Sequence, residues 1–199
     1  MWDHALNLLD VSHPTPEENL AYDEALLLAV ENRQCRPCLR LWECSRDTVV
    51  AGSSSRVMAE VHVEACRRDG IPILRRCTGG GLVMLGRGCL VFTLVLPMSS
   101  GQRMRGVKAA TCAILERNCS VLKAISPDIA VRGTSDLAIG DRKVSGNSQR
   151  WLRRTLLHHG TLLYNFSINR VSRYLNFPER QPDYRRGRDH DSFLTNLPA

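Results

Sequence analysis

The sequence predicts an α+β fold: a mixed, largely antiparallel sheet with two or three helices packed on it. Three observations point there. Residues 15–33 and 106–125 repeat apolar side chains at helical spacing. Around them run short apolar stretches of strand length, separated by turn residues. Gly140-Asp141 sits between two strand-like pieces, as in a hairpin that joins antiparallel neighbours.

The elements follow in order. "TPEENLAYDEALLLAVENR" has a helix start: Thr15 as N-cap, Pro16 at the first helical position, and Glu17 and Glu18 at the positive helix end. Leu20, Ala21, Glu24, Leu27 and Leu28 define its expected inner face. "LRLWEC" and "TVVAGSS" read as strands around a turn at Ser45–Asp47. "EVHVEACRRDG" reads as one short helix closed by Gly70. "IPILRRC" is a strand that runs into three glycines, and "GCLVFTLVLP" is a buried strand closed by Pro97. In "GVKAATCAILERNCSVLKAI", Val107, Ala110, Ile114, Val121, Leu122 and Ile125 mark the buried helix face. "IAVRG", "SDLAIGDRKVSGNSQRW" and "TLLHHGTLLYNF" complete the sheet, and the tail from Arg170 is polar and irregular.

Composition bounds the function. The 199 residues are 43% hydrophobic and 24% charged, which fits a single folded domain over 1–199. No apolar run approaches the roughly 18 residues of a membrane span. The N-terminus lacks a basic region followed by an apolar core, which predicts the cytoplasm. The net charge of +7 suits an anionic ligand and an acidic protein partner. With 6% aromatic residues there is no stacking platform, which argues against nucleic acid. Eight cysteines without a secretory signal read as reduced core residues, and "CRPC" lacks the second pair a zinc site needs.

Three stretches carry chemistry. In "RRCTGGGLVMLGRG", adjacent glycines leave backbone N–H groups unshielded, and Arg75 and Arg76 add charge suited to phosphate or carboxylate. The spacing is neither that of a P-loop nor that of a dinucleotide fingerprint. In "DRKVSGNSQRW", Lys143 on a strand leading into Ser145-Gly146 is placed to reach a bound ligand. In "LHHGTLL", His158 and His159 point to opposite faces of a strand, so they form no metal pair; one belongs to the site.

In this order, "RRCTGGG", "DRKVSGNSQR" and "HHGTLL" resemble the lipoate–protein ligase and lipoyl/octanoyl transferase family, relatives of the biotin ligases. The resemblance runs from "EENLAYDEALL" to about Phe166, and "PDYRRGRDHDSFLTNL" is similar to the end of such domains. It implies the class II synthetase-like α+β fold of the biotin/lipoate ligase catalytic domain. It further implies activation of lipoate or octanoate with ATP and Mg²⁺ to an acyl-adenylate. The acyl group then passes to a lysine of a lipoyl-domain or glycine-cleavage H-type carrier.

On that resemblance Lys143 is the catalytic cation. Arg75, Arg76, Thr78, Gly79, Gly80, Gly81 and Val83 hold acyl and phosphate groups, with Ser145, Gly146, His159, Gly160 and Thr161 beside them. Asp136 is assigned to magnesium or adenosine, and Leu74, Val83 and Leu162 to the acyl slot. No cysteine stands where the transferases of the family carry theirs, which favours the ATP-dependent reaction over ATP-independent transfer between carriers. Met84 and Leu85 replace a histidine and an aspartate common in the family, which keeps a non-catalytic lipoate-binding module as an alternative. The chain has no room for the larger ligases' C-terminal accessory domain. A separate protein supplies it, or the chain performs the second half-reaction, or it acts alone.

Overall fold

The computed structural model describes residues 5–198, with backbone alone for residues 102–105. The elements in chain order are β1 (Asn7–Asp10), α1 (Pro16–Glu31), β2 (Cys38–Glu43), β3 (Thr48–Ala51), α2 (Val57–Glu60), α3 (Val63–Arg68), β4 (Ile73–Arg75) and β5 (Val83–Leu85). There follow β6 (Cys89–Pro97), α4 (Ser100–Leu122), β7 (Ile129–Arg132), β8 (Asp136–Ile139), β9 (Arg142–Trp151), β10 (Thr155–Leu163), α5 (Val171–Tyr174) and α6 (His190–Phe193). They form the expected α+β architecture, but with two sheets. Seven strands run in the order β1-β2-β6-β10-β9-β8-β7, and three run β4-β3-β5. Among the described strands β1–β2 and β3–β4 pair in parallel, and the other ladders are antiparallel. The glycine stretch thus lies in the connection between β4 and β5 of the small sheet, not inside the large one.

Helix α1 starts as expected. Thr15 accepts from the Glu18 N–H at 3.2 Å, and Glu18 accepts from the Thr15 N–H at 3.0 Å, a capping box. That hydrogen bonding holds the Glu18 carboxyl below its ordinary value. Its inner face differs from the apolar pattern: Asn19, Asp23, Leu26, Leu27 and Val30 are buried, while Leu28 is exposed. The sheet beneath explains it. Arg40, Thr93, His159 and Ser148 stand directly opposite one another on β2, β6, β10 and β9. One step along the same face come Cys38, Val95 and Leu157. The first half of α1 lies over the polar row and the second half over the apolar one.

Arg40, fully buried, donates to the Asp23 carboxylate at 2.7 Å, to Asn19 Oδ1 at 2.5 Å, and to the Asn19 and Val11 carbonyl oxygens. Thr93 donates to the other Asp23 oxygen at 2.7 Å. The buried ion pair is therefore fully hydrogen-bonded, the condition under which such pairs are tolerated.

Helix α4 covers the opposite face, where Ala110, Ile114 and Leu156 pack together and Leu115 and Cys119 meet Ile129 and Leu137. Gly106, at φ +79, breaks α4 near its start. The expected inner residues Val107, Val121 and Ile125 are exposed instead, and Thr111 and Leu115 face inward. The helix read over "EVHVEACRRDG" is two pieces, because Val61 is extended and pairs with Leu175. No helix among the described residues is long and apolar enough to cross a membrane.

Removing the Asp23 carboxylate leaves the Arg40 charge buried without its counter-ion. Asp23→Ala is expected to lower stability by roughly 3–5 kcal/mol in a urea unfolding series. A loss well below 1 kcal/mol would show that water reaches the pair.

Candidate functional site

The polar row continues upward from the sheet. Thr78 Oγ1 lies 2.7 Å from His159 Nε2, and Arg76 Nε donates to Thr78 Oγ1 at 2.9 Å. Arg76 is a pure donor, which leaves the Thr78 hydroxyl hydrogen available for donation to Nε2. The other ring nitrogen, Nδ1, faces Asp23 Oδ2 at 3.6 Å. A buried chain thus links Arg40, Asp23, His159, Thr78 and Arg76 to the glycine loop.

Arg76 fixes that loop. Its remaining donors reach the carbonyl oxygens of Val50 (3.2 Å), Gly79 (2.6 Å) and Gly81 (2.9 Å). Ser148 Oγ donates to the Gly79 carbonyl at 2.8 Å, and Ser55 Oγ to that of Gly80 at 3.2 Å. All three glycine carbonyls are therefore held. The N–H groups of Gly79, Gly80 and Gly81 donate to no acceptor among the described residues. Gly80 adopts φ +84, where a side chain is strained. Burial pulls the Arg76 guanidinium down to about 10.

The loop roofs a cavity of about 830 Å³. Of the residues singled out in the sequence, Arg76, Gly80, Gly81, Val83, Asp136, Lys143, Ser145, Gly146, His159, Gly160 and Thr161 line it. Arg75, Thr78, Gly79, Leu74 and Leu162 do not. Arg75 is exposed and donates to the carbonyls of Gly52 (2.5 Å) and Ser55 (3.2 Å), tying the neighbouring loop. Both arginines thus act on backbone in this structure rather than standing free for an anion.

At the far side Lys143, a quarter exposed, makes an ion pair with Asp136 Oδ1 at 2.8 Å. Tyr184 donates to Asp136 Oδ2 at 2.8 Å. The hairpin bends through Gly140 at φ +60, and a register shift at Leu137/Ala138 offsets the strands. Gly146 makes room for the lysine: a Cβ there would meet Lys143 Cε and Nζ at 2.9 Å. The Gly146 N–H donates to Thr161 Oγ1 at 3.3 Å, and Ser145 Oγ accepts from Asn147 at 3.0 Å.

Both Asp136 oxygens are thus engaged by donors of the chain. Among the described residues no three His, Cys, Asp or Glu side chains gather as a metal site. A magnesium at Asp136 would share its carboxylate with Lys143 and Tyr184.

One part of the cavity wall is apolar and is formed by Trp42, Val50, Met84, Leu85, Val91 and Leu163. Met84 and Leu85 are buried core residues here, which accounts for their apolar character. These positions were hidden in the sequence because each reads as ordinary strand core. Ser148 carried a signal, being in period-two step with Gly146 on a strand. Tyr184 carried none.

His158, one residue from His159, turns to the other face and stacks on Phe92 with centroids 6.1 Å apart. Burial, with the neighbouring His159, drives its pKa down to about 3.

Two features of the cavity stand together: an apolar stretch of wall, and in the same lining a lysine and two glycines of a loop with unpaired amides. Comparison with known proteins gives the family. A profile of the lipoyl protein ligase A/B catalytic domain matches residues 15–199. The chain belongs to that family. It is 33% identical over 175 residues to lipoate-protein ligase A of Blochmanniella floridana, covering 86% of this chain and 49% of that one. The chain therefore spans about half the length of that relative. A crystal structure of a lipoate-protein ligase A bound with ATP superposes with a TM-score of 0.79 at 21% identity, covering 97% of this chain and 76% of the other. A bipartite lipoate protein ligase from Thermoplasma acidophilum, studied with its E2 lipoyl domain, gives 0.76 at 22%, covering 96% and 74%. These likenesses establish the fold.

The lowered His158 pKa predicts a pH effect. Between about 3 and the unfolded value near 6.5, the unfolded chain binds the proton and the folded chain does not. Stability therefore falls as pH drops through that window, by about 1.4 kcal/mol per pH unit for one proton. His158→Phe is expected to show a shallower acid-side slope in urea unfolding at stepped pH. Identical slopes would rule this histidine out.

Proposed function

We propose that this chain is the catalytic part of a lipoate–protein ligase. It activates lipoate or octanoate with ATP and transfers the acyl group to a lysine of a lipoyl-domain or glycine-cleavage H-type carrier. The observation that carries this reading is the single cavity that joins the Lys143 ammonium and the glycine-loop amides to an apolar wall. The relative's name and the ATP-bound and lipoyl-domain-associated neighbours support it.

In this reading the acyl chain lies along Trp42, Val50, Met84 and Val91, with its carboxylate near the loop. A carboxylate oxygen attacks the α-phosphorus of ATP, the α–β phosphoanhydride bond breaks, and pyrophosphate leaves. The carrier amine then attacks the acyl carbon, AMP departs as the anhydride bond breaks, and the amine proton passes to solvent. Both steps build negative charge on phosphoryl and carbonyl oxygens. Fixed donors serve that charge best where water is excluded. Lys143 and the unpaired amides are such donors. Magnesium enters with the nucleotide, screening its phosphates. A separate accessory protein assisting adenylation is compatible with this arrangement.

ATP-independent transfer through a thioester needs a thiol at the cavity. None of the eight cysteines lines it, and burial holds Cys77, beside the loop, above its ordinary value.

The test is incubation with ATP, Mg²⁺, lipoate and an apo lipoyl domain, followed by mass measurement of the carrier. A gain of one lipoyl group on a lysine is expected. Lys143→Ala is expected to fold normally and to lose transfer by roughly 100-fold or more. Transfer from an octanoyl carrier without ATP would replace this reading by the transferase. Retained activity in Lys143→Ala would remove the lysine from the chemistry.

A further inference from the structure

Arg185 closes the 3₁₀ turn Asp183–Arg185, in the segment after β10. It is 5% exposed and stands in the wall of the cavity that holds Lys143 and Gly80. Its guanidinium lies over the rings of Phe177 and Phe193, 5.0 and 4.8 Å from their centroids. Nε donates to the Arg188 carbonyl at 2.8 Å. Nη2 is shielded from solvent and has no acceptor.

No carboxylate neutralises this cation within ion-pair distance among the described residues. The nearby Asp189 accepts from the Ser192 N–H at 2.8 Å, capping α6. Asp136 is engaged by Lys143 and Tyr184. Burial is the main cause that holds the Arg185 guanidinium below its ordinary value. Aromatic faces offset part of the desolvation of a guanidinium, but a buried charge without a counter-ion is unfavourable. Arg180, also in the wall, is exposed to solvent, and three further cations there have acceptors. Arg76 has four oxygen acceptors, Lys143 pairs with Asp136, and Arg56 pairs with Glu179 at 2.6 Å.

We propose that Arg185 is an anion-binding residue of this cavity and that its ligand is a phosphate group of the nucleotide. The proposal rests on the reading of the chain as an ATP-using ligase. Phosphate is favoured over the acyl carboxylate by position. The residue next to Arg185, Tyr184, holds the carboxylate that holds Lys143, so Arg185 belongs to the ammonium end of the cavity. The guanidinium, held between two rings, offers a fixed positive charge and N–H donors suited to phosphoryl oxygens.

Calorimetric titration of the whole chain, of Arg185→Met and of Arg185→Lys tests this, with ATP, AMP, inorganic pyrophosphate and lipoate as probes. Arg185→Met is expected to weaken ATP roughly 10- to 100-fold. It should weaken equally whichever of AMP and pyrophosphate carries the contacted phosphate. Lipoate affinity should stay within about twofold, and Arg185→Lys should recover part of the ATP affinity. Unchanged ATP, AMP and pyrophosphate affinities in Arg185→Met would overturn the proposal. So would equal loss of all four ligands in both variants with a lowered melting midpoint, because the arginine would then be structural. A wild-type chain that binds pyrophosphate or AMP but not ATP refutes the ligase reading and leaves Arg185 to be judged on the bound fragment. A wild-type chain that binds none of the three refutes both.

Discussion

A guanidinium with no exposed surface must find acceptors inside the protein, and Arg40 finds them on α1. That requirement places the helix. Asn19 and Asp23 have to sit over the middle of β2 and β6, and Leu26, Leu27 and Val30 then fall on Cys38, Val95 and Leu157. From Asp23 the constraint passes through His159 and Thr78 to Arg76 and so to the glycine loop. Asp23 accepts only, and Arg76 donates only. A Thr78 hydroxyl that accepts from Arg76 and donates to His159 Nε2, with the imidazole N–H at Nδ1 toward Asp23, satisfies both ends. A loop of three glycines, the least restrained backbone available, is thereby tied to a chain of buried polar groups that begins on the sheet.

The same logic explains why the loop can bind anything. Each glycine carbonyl is held by Arg76, Ser148 or Ser55, so the peptide planes cannot turn. The amides are left without partners among the described residues. Unpaired donors on a rigid loop are ready for a developing anion without reorganising, which is the property electrostatic stabilisation needs. Opposite them, Gly146 lets the Lys143 side chain fold close against its own strand, and Asp136 with Tyr184 fixes its tip.

What the sequence disclosed follows from the range of the interactions involved. Local signals were legible: the N-cap at Thr15, the hairpin at Gly140, and the opposite faces of His158 and His159. Register was not. The inner face of α1 was misread because apolar periodicity assumes an apolar partner, and the sheet beneath it carries Arg40 and Thr93. In α4, Val107, Val121 and Ile125 repeat with helical period yet face solvent, while Thr111 and Leu115 are turned to the sheet. Among the site residues, the motifs identified the polar end of the cavity. The apolar end is assembled from five separate strands, and apart from Met84, which lies in the glycine motif, its residues Trp42, Val50, Val91 and Leu163 have nothing local to mark them.

The arginines show how charge can mislead when read from composition. A net charge of +7 suggests a surface awaiting an acidic partner. Several of these side chains instead donate to main-chain oxygens. Arg75 ties Gly52 and Ser55, and Arg142 ties Leu194. Arg188 ties Asp141, Tyr184 and Arg185. The segments they join are irregular loops whose carbonyls lack ladder partners, and five donors in a rigid fork satisfy several at once. Arginine here does for loops what the N–H ladder does for strands. The rule also makes its exception informative: a cavity-wall guanidinium with a shielded, unpaired nitrogen stands out because so many others in the chain have acceptors of their own.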